Sequence, residues 1–256
     1  MRALITGATS GIGMSIAKKL SDLGWELILT GRNEKVLKEL QEKLGGKPEI
    51  IAADLAKKEE VFKVYNFCKG KNTDMLVNNA GYGLFGKFDE IDLEDELNMI
   101  NVNITALHIL TKLFLRDFKK RNSGRILNVA SAAGFMSGPL MSSYYASKNY
   151  VVKLTLAIYE ELRRERSNVT VTMLCPGPVD TNFNDRAGVK FSMKPISPDY
   201  AAECAVQKAL AGKLFAIPGL TVKLGIFGSR FVPHKMLAAV TYNIQHGKLK
   251  AKEGKK

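Results

Sequence analysis

A tyrosine and a lysine four residues apart, Tyr144 and Lys148, are the side chains of this sequence best suited to acid/base chemistry. They lie in a stretch whose pattern predicts a helix over residues 142 to 166. Side chains at i and i+4 of a helix share one face, so the phenol and the ammonium can reach one site. Lowering a tyrosine pKa from about 10 to about 7 takes roughly 4 kcal/mol, which a neighbouring positive charge can supply. Such a tyrosine can serve as the general acid in reduction of a carbonyl.

The same spacing occurs at Tyr65 and Lys69, so spacing alone does not define a site. The residues around Tyr65 follow the apolar stripe of an ordinary amphipathic helix. The sequence therefore predicts that Tyr65 is a packed ring beside a solvated lysine. Other parts of the chain must distinguish Tyr144 from it.

A glycine-rich turn joins the first predicted strand to the first predicted helix, in the order Thr6-Gly7-Ala8-Thr9-Ser10-Gly11-Ile12-Gly13. Glycines allow a tight turn and close backbone approach, and a helix N-terminus offers free N–H groups to a phosphate. This position between strand and helix indicates that the turn binds the pyrophosphate of a dinucleotide.

The end of the second predicted strand indicates which dinucleotide is bound. It reads Leu29-Thr30-Gly31-Arg32-Asn33, with an arginine and no acid. An acid there would hold the ribose hydroxyls of NAD(H), whereas an arginine accommodates a 2′-phosphate. NADP(H) is therefore favoured over NAD(H). The alternative is that Arg32 is only a surface charge, and Thr9 adds no second cation to the glycine loop.

Short apolar strands alternate with helical patterns along the chain, which predicts an α/β fold with a doubly wound parallel sheet of about seven strands. The strands are predicted at 2–6, 26–30, 49–53, 75–78, 125–130, 170–174 and 214–217. Helices are predicted near 11–23, 34–44, 57–69, 92–120, 142–166 and 198–211. A chain of 256 residues can form one such domain.

Two segments do not follow this alternation. Residues 182–197 are predicted to form a loop or lid at the carboxyl ends of the strands, where such sheets bind ligands. Residues 218–256 are predicted to form an amphipathic, basic extension beyond the catalytic domain of residues 1–217. From Gly219 onward there are eight basic residues and one acid, out of a net charge of +13 for the chain. The extension is either a solvated tail or a weak contact for an anionic membrane or an acidic partner.

Cysteine and histidine usage gives no sign of a disulfide or a metal site. Cys68, Cys175 and Cys204 are an odd, widely spaced set, which is typical of a reducing compartment. The first apolar run ends at Thr6-Gly7, too early for a signal peptide. We therefore expect a cytoplasmic protein that is at most membrane-peripheral, with no nucleic-acid partner.

Several motifs in a fixed order resemble those of the classical short-chain dehydrogenase/reductase family. They are Thr6-Gly-x-x-x-Gly-x-Gly13, Asn78-Asn79-Ala80-Gly81, Asn103, Ser131, Tyr144-x-x-x-Lys148 and Pro176-Gly177. The resemblance covers residues 1 to about 217 and implies a single-domain Rossmann-type fold. Ser131 stands thirteen residues before Tyr144, whereas Tyr65 has Ala52 at that offset.

The resemblance implies a role for each catalytic residue. Tyr144 would be the acid/base, Lys148 would lower its pKa and hold the nicotinamide ribose, and Ser131 would hydrogen-bond the substrate carbonyl. Asn103 would hold a water that links the lysine to solvent, although its neighbour Asn101 competes for that assignment.

The resemblance also implies a set of cofactor contacts. Asp54 would contact the adenine, although it could instead cap a helix, and Thr181 would hold the carboxamide. Besides these two and the catalytic Tyr144 and Lys148, the expected contacts are Gly7, Thr9, Ser10, Gly11, Ile12, Gly13, Arg32, Asn79, Ala80, Gly81, Pro176, Gly177 and Val179.

The function expected from these features is an NADPH-dependent oxidoreductase, a ketoreductase acting on a small-molecule ketone or secondary alcohol. A lipophilic, acyl or steroid-like substrate that carries an anionic group would suit the residues expected to border it. The apolar ones are Phe135, Met136, Leu140 and Met141 with the lid residues Phe183, Phe191 and Met193, and the basic rim of the lid is Arg186, Lys190 and Lys194. The alternative is a nucleotide-binding regulator or membrane-associated adaptor without turnover. Family resemblance implies a dimer or tetramer built on the helices near 92–120 and 142–166.

Overall fold

Seven strands form one parallel sheet in the order β3-β2-β1-β4-β5-β6-β7. The structure is a computed structural model that describes residues 1–45, 47–181 and 194–253. The strands are β1 (Arg2–Thr6), β2 (Glu26–Gly31), β3 (Glu49–Ala52), β4 (Met75–Asn78), β5 (Gly124–Val129), β6 (Val169–Leu174) and β7 (Phe215–Ala216). This confirms the predicted Rossmann-type doubly wound sheet.

Helices cover both faces of the sheet. In the described ranges they are α1 (Gly11–Asp22), α2 (Glu34–Lys43), α3 (Lys58–Cys68), α4 (Leu93–Ile100), α5 (Leu107–Lys120), α6 (Ser142–Arg164), α7 (Pro198–Leu210), α8 (Leu220–Gly228) and α9 (His234–Glu253). Alternate residues of β1 enter different cores: Ala3 and Ile5 pack with α1, α2 and α7, whereas Leu4 packs with α3, α5 and α6. A parallel sheet buried on both faces needs apolar residues at nearly every strand position, which explains the continuous apolar runs.

The strand order reverses between β1 and β4. The chain runs outward from β1 through β2 to β3, then crosses back so that β4 pairs with the other side of β1. The crossover leaves a crevice outside the carboxyl ends of these two strands, which is where doubly wound sheets bind their ligands.

Besides shifts of one or two residues at several ends, two elements differ from the sequence-based predictions. The single helix predicted near 92–120 is interrupted by a π-helical turn at Asn101–Ala106. Strand β7 contains only Phe215 and Ala216, because it pairs with β6 at those two positions and Pro218 follows closely. A π-turn changes the hydrogen-bond register without changing the apolar pattern, so periodicity does not reveal it.

The two segments outside the alternation have different outcomes. Residues 182–193 of the predicted loop lie outside the described residues, while Ile196 pairs with Val179 in an isolated bridge. The segment predicted as an extension contains α8 and α9, and the domain boundary at residue 217 stays a prediction. Within the described ranges, no helix is both long enough and apolar enough to span a bilayer.

Candidate active site

Ser131, Tyr144 and Lys148 meet beside the end of β5. Ser131 follows β5 directly and caps a 3₁₀ turn by accepting a hydrogen bond from Ala133 N–H at 3.1 Å. Tyr144 lies in the first turn of α6, and its phenol is hydrogen-bonded with the Ser131 side chain. Burial raises the pKa of Tyr144, and the Ser131 hydrogen bond partly opposes that rise. Tyr144 therefore keeps its proton at neutral pH.

Lys148 is buried one helical turn beyond Tyr144. Its ammonium donates a hydrogen bond to the Val129 carbonyl oxygen at 2.9 Å and lies 5.9 Å from the centre of the Tyr144 ring. Burial lowers the pKa of Lys148 to about 8, and the charge interaction with Cys175 opposes the shift. Burial thus dominates the pKa of both groups, and the lowering of the Tyr144 pKa by Lys148 stays a prediction.

The buried ammonium leads to a prediction about stability and pH. Because the folded-state pKa of Lys148 is depressed, the unfolded chain binds more protons between the two pKa values, and stability rises with pH in that window. Relative to Lys148→Met, the wild type should gain about 1–3 kcal/mol of unfolding free energy from about pH 7 to about pH 10. Denaturant unfolding across this range tests it. The exposed Lys69→Met is the control, and a pH-independent difference for Lys148→Met would contradict the desolvation.

The π-helical turn brings Asn103 to this site. Its amide accepts from Tyr82 N–H at 3.1 Å and donates to the Tyr82 carbonyl at 2.9 Å and to Ser147 Oγ at 3.1 Å. A Cβ placed on Gly81 would lie 2.9 Å from Asn103 Oδ1 and 3.5 Å from Lys148 Nζ, so both atoms border the same backbone. The competing Asn101 instead accepts a hydrogen bond from Thr105 within its own helix.

The glycine loop is locked against the end of β4. Asn79 donates from its side chain to the Thr6 carbonyl at 2.9 Å and to the Gly7 carbonyl at 3.0 Å, while Thr6 Oγ1 accepts from the Asn79 and Ala80 N–H groups. Gly7 has φ +63°, and a Cβ there would lie 2.8 Å from Ala80 Cα. This contact leaves no room for a side chain at Gly7.

The start of α1 fits a pyrophosphate. Ser10 occupies the N-cap position, but its side chain makes no capping hydrogen bond, so it does not occupy the N–H groups of the first turn at Gly11, Ile12 and Gly13. Those donors and the positive end of the helix dipole suit a phosphate. The cradle therefore fits a dinucleotide.

The residues expected at the adenosine end surround the ends of β2 and β3. Arg32 is exposed directly after β2, and Thr9 packs on Gly31, where an added Cβ would lie 2.8 Å from Thr9 Cγ2. Asp54 accepts a hydrogen bond from Ala56 N–H at 3.2 Å, whereas the N-cap of α3 is Lys57. The carboxylate of Asp54 thus closes a turn and does not cap the helix.

The segment after β6 closes the crevice from the other side. The Pro176 carbonyl accepts a hydrogen bond from Ala132 N–H at 2.9 Å, and Val179 is buried. Thr181 reaches the glycine loop, since a Cβ on Gly11 would lie 2.9 Å from Thr181 Cγ2. Gly177 contacts Val222 of α8.

The wall between Ser131 and Tyr144 is partly packed. Leu140 and Met141 are buried, and Met141 clusters with Phe85, Tyr144 and Tyr145. Leu140 has φ +66°, and its carbonyl accepts a hydrogen bond from Gly86 N–H at 2.9 Å. The positive φ at a leucine marks a backbone held by its surroundings.

One contact at this wall was absent from the sequence-based predictions. The buried side chain of Gln245, from α9, donates a hydrogen bond to Tyr145 Oη at 2.8 Å. The rings of Tyr144 and Tyr145 meet edge to face at 6.0 Å, so α9 is linked to the neighbour of the expected acid. The sequence holds one signal for this contact: Gln245 follows Leu237 by eight residues and Thr241 by four, so the three side chains share one face of a helix.

Tyr65 has a different environment from Tyr144. Its hydroxyl donates to Asp117 Oδ2 at 2.7 Å, and its ring meets Phe114 edge to face at 5.5 Å. Burial and the Asp117 hydrogen bond raise its pKa to about 12. Tyr65 therefore joins α3 to α5 as a packing residue.

The fold and the crevice are those of a dinucleotide-binding α/β protein. The family model described as "short chain dehydrogenase" matches residues 1–190. The chain therefore belongs to the short-chain dehydrogenase/reductase family.

Similar proteins agree with this membership. An uncharacterized oxidoreductase of Staphylococcus epidermidis is 37% identical over 186 residues, covering 72% of this chain and 80% of the relative. A short-chain dehydrogenase from Sphingobium yanoikuyae, solved in complex with NADPH, is 28% identical with a TM-score of 0.80 and coverages of 90% and 93%. One from Burkholderia phymatum, solved in complex with NAD, is 25% identical with a TM-score of 0.79 and coverages of 88% and 91%.

Proposed function

We propose that the chain interconverts a ketone and a secondary alcohol, with NADP(H) as hydride carrier and Tyr144 as general acid/base. The observation that carries the proposal is the cluster of Ser131, Tyr144 and Lys148 at the end of β5, beside a glycine loop that fits a pyrophosphate. Neither a metal nor a covalent intermediate is required.

Each residue of the cluster has one task in reduction. The nicotinamide, when bound, supplies the hydride. Tyr144 Oη donates a proton to the substrate oxygen, while Ser131 Oγ hydrogen-bonds the same oxygen and stabilises its developing charge. Lys148 places a buried positive charge one turn away, and Asn103 holds Tyr82 and Ser147 in place. The raised pKa of Tyr144 keeps it protonated for the reductive direction.

The substrate we propose is lipophilic, acyl or steroid-like. Phe135 and Met136 are half-buried beside the catalytic serine and offer apolar surface, while Leu140 and Met141 support the wall from within. The half-buried Tyr145 and the buried Gln245 add a hydrogen-bonded polar pair. A small homo-oligomer in the cytoplasm, with at most peripheral membrane contact through residues 218–256, completes the proposal.

A carbonyl screen tests this function. NADPH oxidation is followed with ketosteroids, β-ketoacyl thioesters and small ketones, with NADH in parallel. We expect turnover of a bulky apolar ketone and a preference for NADPH. Cofactor binding with no reduction across the whole panel would contradict the enzyme and favour the nucleotide-binding regulator or adaptor.

Cofactor choice gives a second prediction, at Arg32. Removing its guanidinium with Arg32→Ala should lower the ratio of kcat/KM for NADPH over NADH by about 10–100-fold, because a charge-assisted bond to a 2′-phosphate contributes about 1.5–3 kcal/mol. Steady-state kinetics with both cofactors measure the ratio. Lys35→Ala, an exposed cation at the start of α2, is the control, and equal ratios in wild type and Arg32→Ala would exclude Arg32 as the selector.

A further inference from the structure

An exposed apolar stripe runs along α8 and the turn that follows it. Its residues and their exposed fractions are Leu220 at 71%, Leu224 at 61%, Phe227 at 58% and Phe231 at 74%. Intervals of four, three and four residues place these side chains on one face. The rings of Phe227 and Phe231 meet edge to face at 5.3 Å.

The opposite face of α8 attaches the helix to the sheet domain. Val222 contacts Gly177 at the cofactor crevice, and Ile226 is buried in the core cluster that contains Met173 and Cys175. Because Val222 and Ile226 fix one face of α8 against the domain, the opposite face with its large apolar side chains points to solvent.

Helix α9 repeats the arrangement. Thr241 and Gln245 are buried, with Gln245 hydrogen-bonded to Tyr145, while Met236, Val240 and Ile244 are exposed at i, i+4 and i+8. Two consecutive helices therefore each have one face packed on the domain and an apolar stripe open to solvent. Rows of exposed large apolar side chains like these mark interaction sites on folded proteins.

Charge decides between the candidate occupants. Lys223, Arg230 and Lys235 are exposed among the apolar residues, and the sequence from Gly219 onward has eight basic residues against one acid. A second copy would bring the same excess of positive charge to the interface, whereas an anionic bilayer complements it. We propose that α8 and α9 form a docking surface for an anionic membrane, inserted to the headgroup boundary without spanning the bilayer.

This inference goes beyond the proposed reaction and does not depend on turnover. The bilayer-facing residues and the contacts to Gly177 and Tyr145 lie on opposite faces of the same helices. Docking would therefore place the crevice next to a bilayer, from which a lipophilic ketone could be drawn.

Vesicle co-sedimentation of the full chain tests the surface. The vesicles are phosphatidylcholine alone or phosphatidylcholine with about one-third phosphatidylserine. We expect binding to the anionic vesicles only, and its loss on raising salt from about 0.1 M to about 1 M. Phe227→Ser with Phe231→Ser should weaken binding by at least about tenfold, because two apolar side chains no longer insert. Lys223→Gln with Arg230→Gln should weaken it by roughly tenfold or more.

Matched variants control for general effects of polarity and charge. Phe88→Ser removes a phenylalanine that is 65% exposed before α4, and Lys18→Gln with Lys47→Gln removes two exposed cations elsewhere. Both should bind like the wild type. Binding unaffected by the Phe227/Phe231 pair, or equal binding to neutral vesicles, would overturn the proposal. A third outcome would also overturn it. If the wild type does not bind vesicles but forms a concentration-dependent dimer, and Phe227→Ser with Phe231→Ser abolishes that dimer, the face joins two copies of the chain.

Discussion

Replacing Tyr144 with phenylalanine is expected to lower kcat by about 10³-fold while leaving the NADPH dissociation constant within about twofold of wild type. The change removes one hydroxyl and keeps the ring that packs with Met141 and Tyr145. The substrate oxygen then loses its proton donor, although the glycine loop and α1 are untouched. Stopped-flow NADPH oxidation and fluorescence titration of NADPH measure the two quantities.

Tyr65→Phe is the matched control, because the chain has the same Tyr-x-x-x-Lys spacing there. It loses the hydrogen bond to Asp117, so the free energy of unfolding should fall by about 1 kcal/mol with no change in kcat. A Tyr144→Phe enzyme that retained wild-type turnover would refute the assignment of the acid. Loss of NADPH binding along with turnover would mean either a damaged fold or a lost cofactor contact, and circular dichroism and melting temperature separate these two outcomes.

Replacing Gly13 with valine should have the second large effect, on folding and cofactor binding together. A Cβ at this position overlaps the Gly7 carbonyl oxygen and the Asn79 side-chain amide, which hold the glycine loop to β4. Neither is the free end of a flexible chain, so the loop must move. We expect the free energy of unfolding to fall by about 3 kcal/mol and NADPH affinity to fall roughly a hundredfold.

Gly225→Ala controls for the general effect of adding a side chain at a glycine within a helix. Nothing lies within 4 Å of a Cβ built at Gly225, so alanine should be neutral or should stabilise α8 by up to about 1 kcal/mol. Denaturant unfolding and NADPH titration of both variants give the comparison. A Gly13→Val protein with wild-type stability and affinity would mean that the loop is not closely packed against β4.

Most of the fold was predictable because its signals are local. The strands are apolar runs bounded by turn residues, and helices α1, α2, α3 and α7 follow amphipathic patterns, so the predicted and observed ends of these helices differ by at most one residue. The glycine-rich turn likewise follows from its place between β1 and α1. These features depend on neighbouring residues, which the sequence displays directly.

Features that depend on distant contacts were not predictable. The sequence left Asn101 and Asn103 as competitors, and the π-helical turn brought Asn103 to Tyr82 and Ser147. The link between Gln245 and Tyr145 joins residues 100 positions apart. Periodicity reports which face of a helix is apolar but does not report what that face meets, so both contacts required the assembled chain.

The residue types and their order along the chain were enough to indicate the family, the sheet and the chemistry that Tyr144, Lys148 and Ser131 can perform. The Tyr-x-x-x-Lys spacing by itself could not separate Tyr144 from Tyr65, however, and it did not reveal that burial raises the pKa of Tyr144 and lowers that of Lys148. Desolvation arises only when β5, α6 and the loop after β4 come together, because a pKa depends on all the atoms around a group. The folded arrangement therefore places the phenol of Tyr144 against Ser131 and that of Tyr65 against Asp117, a difference that two identical Tyr-x-x-x-Lys spacings do not contain.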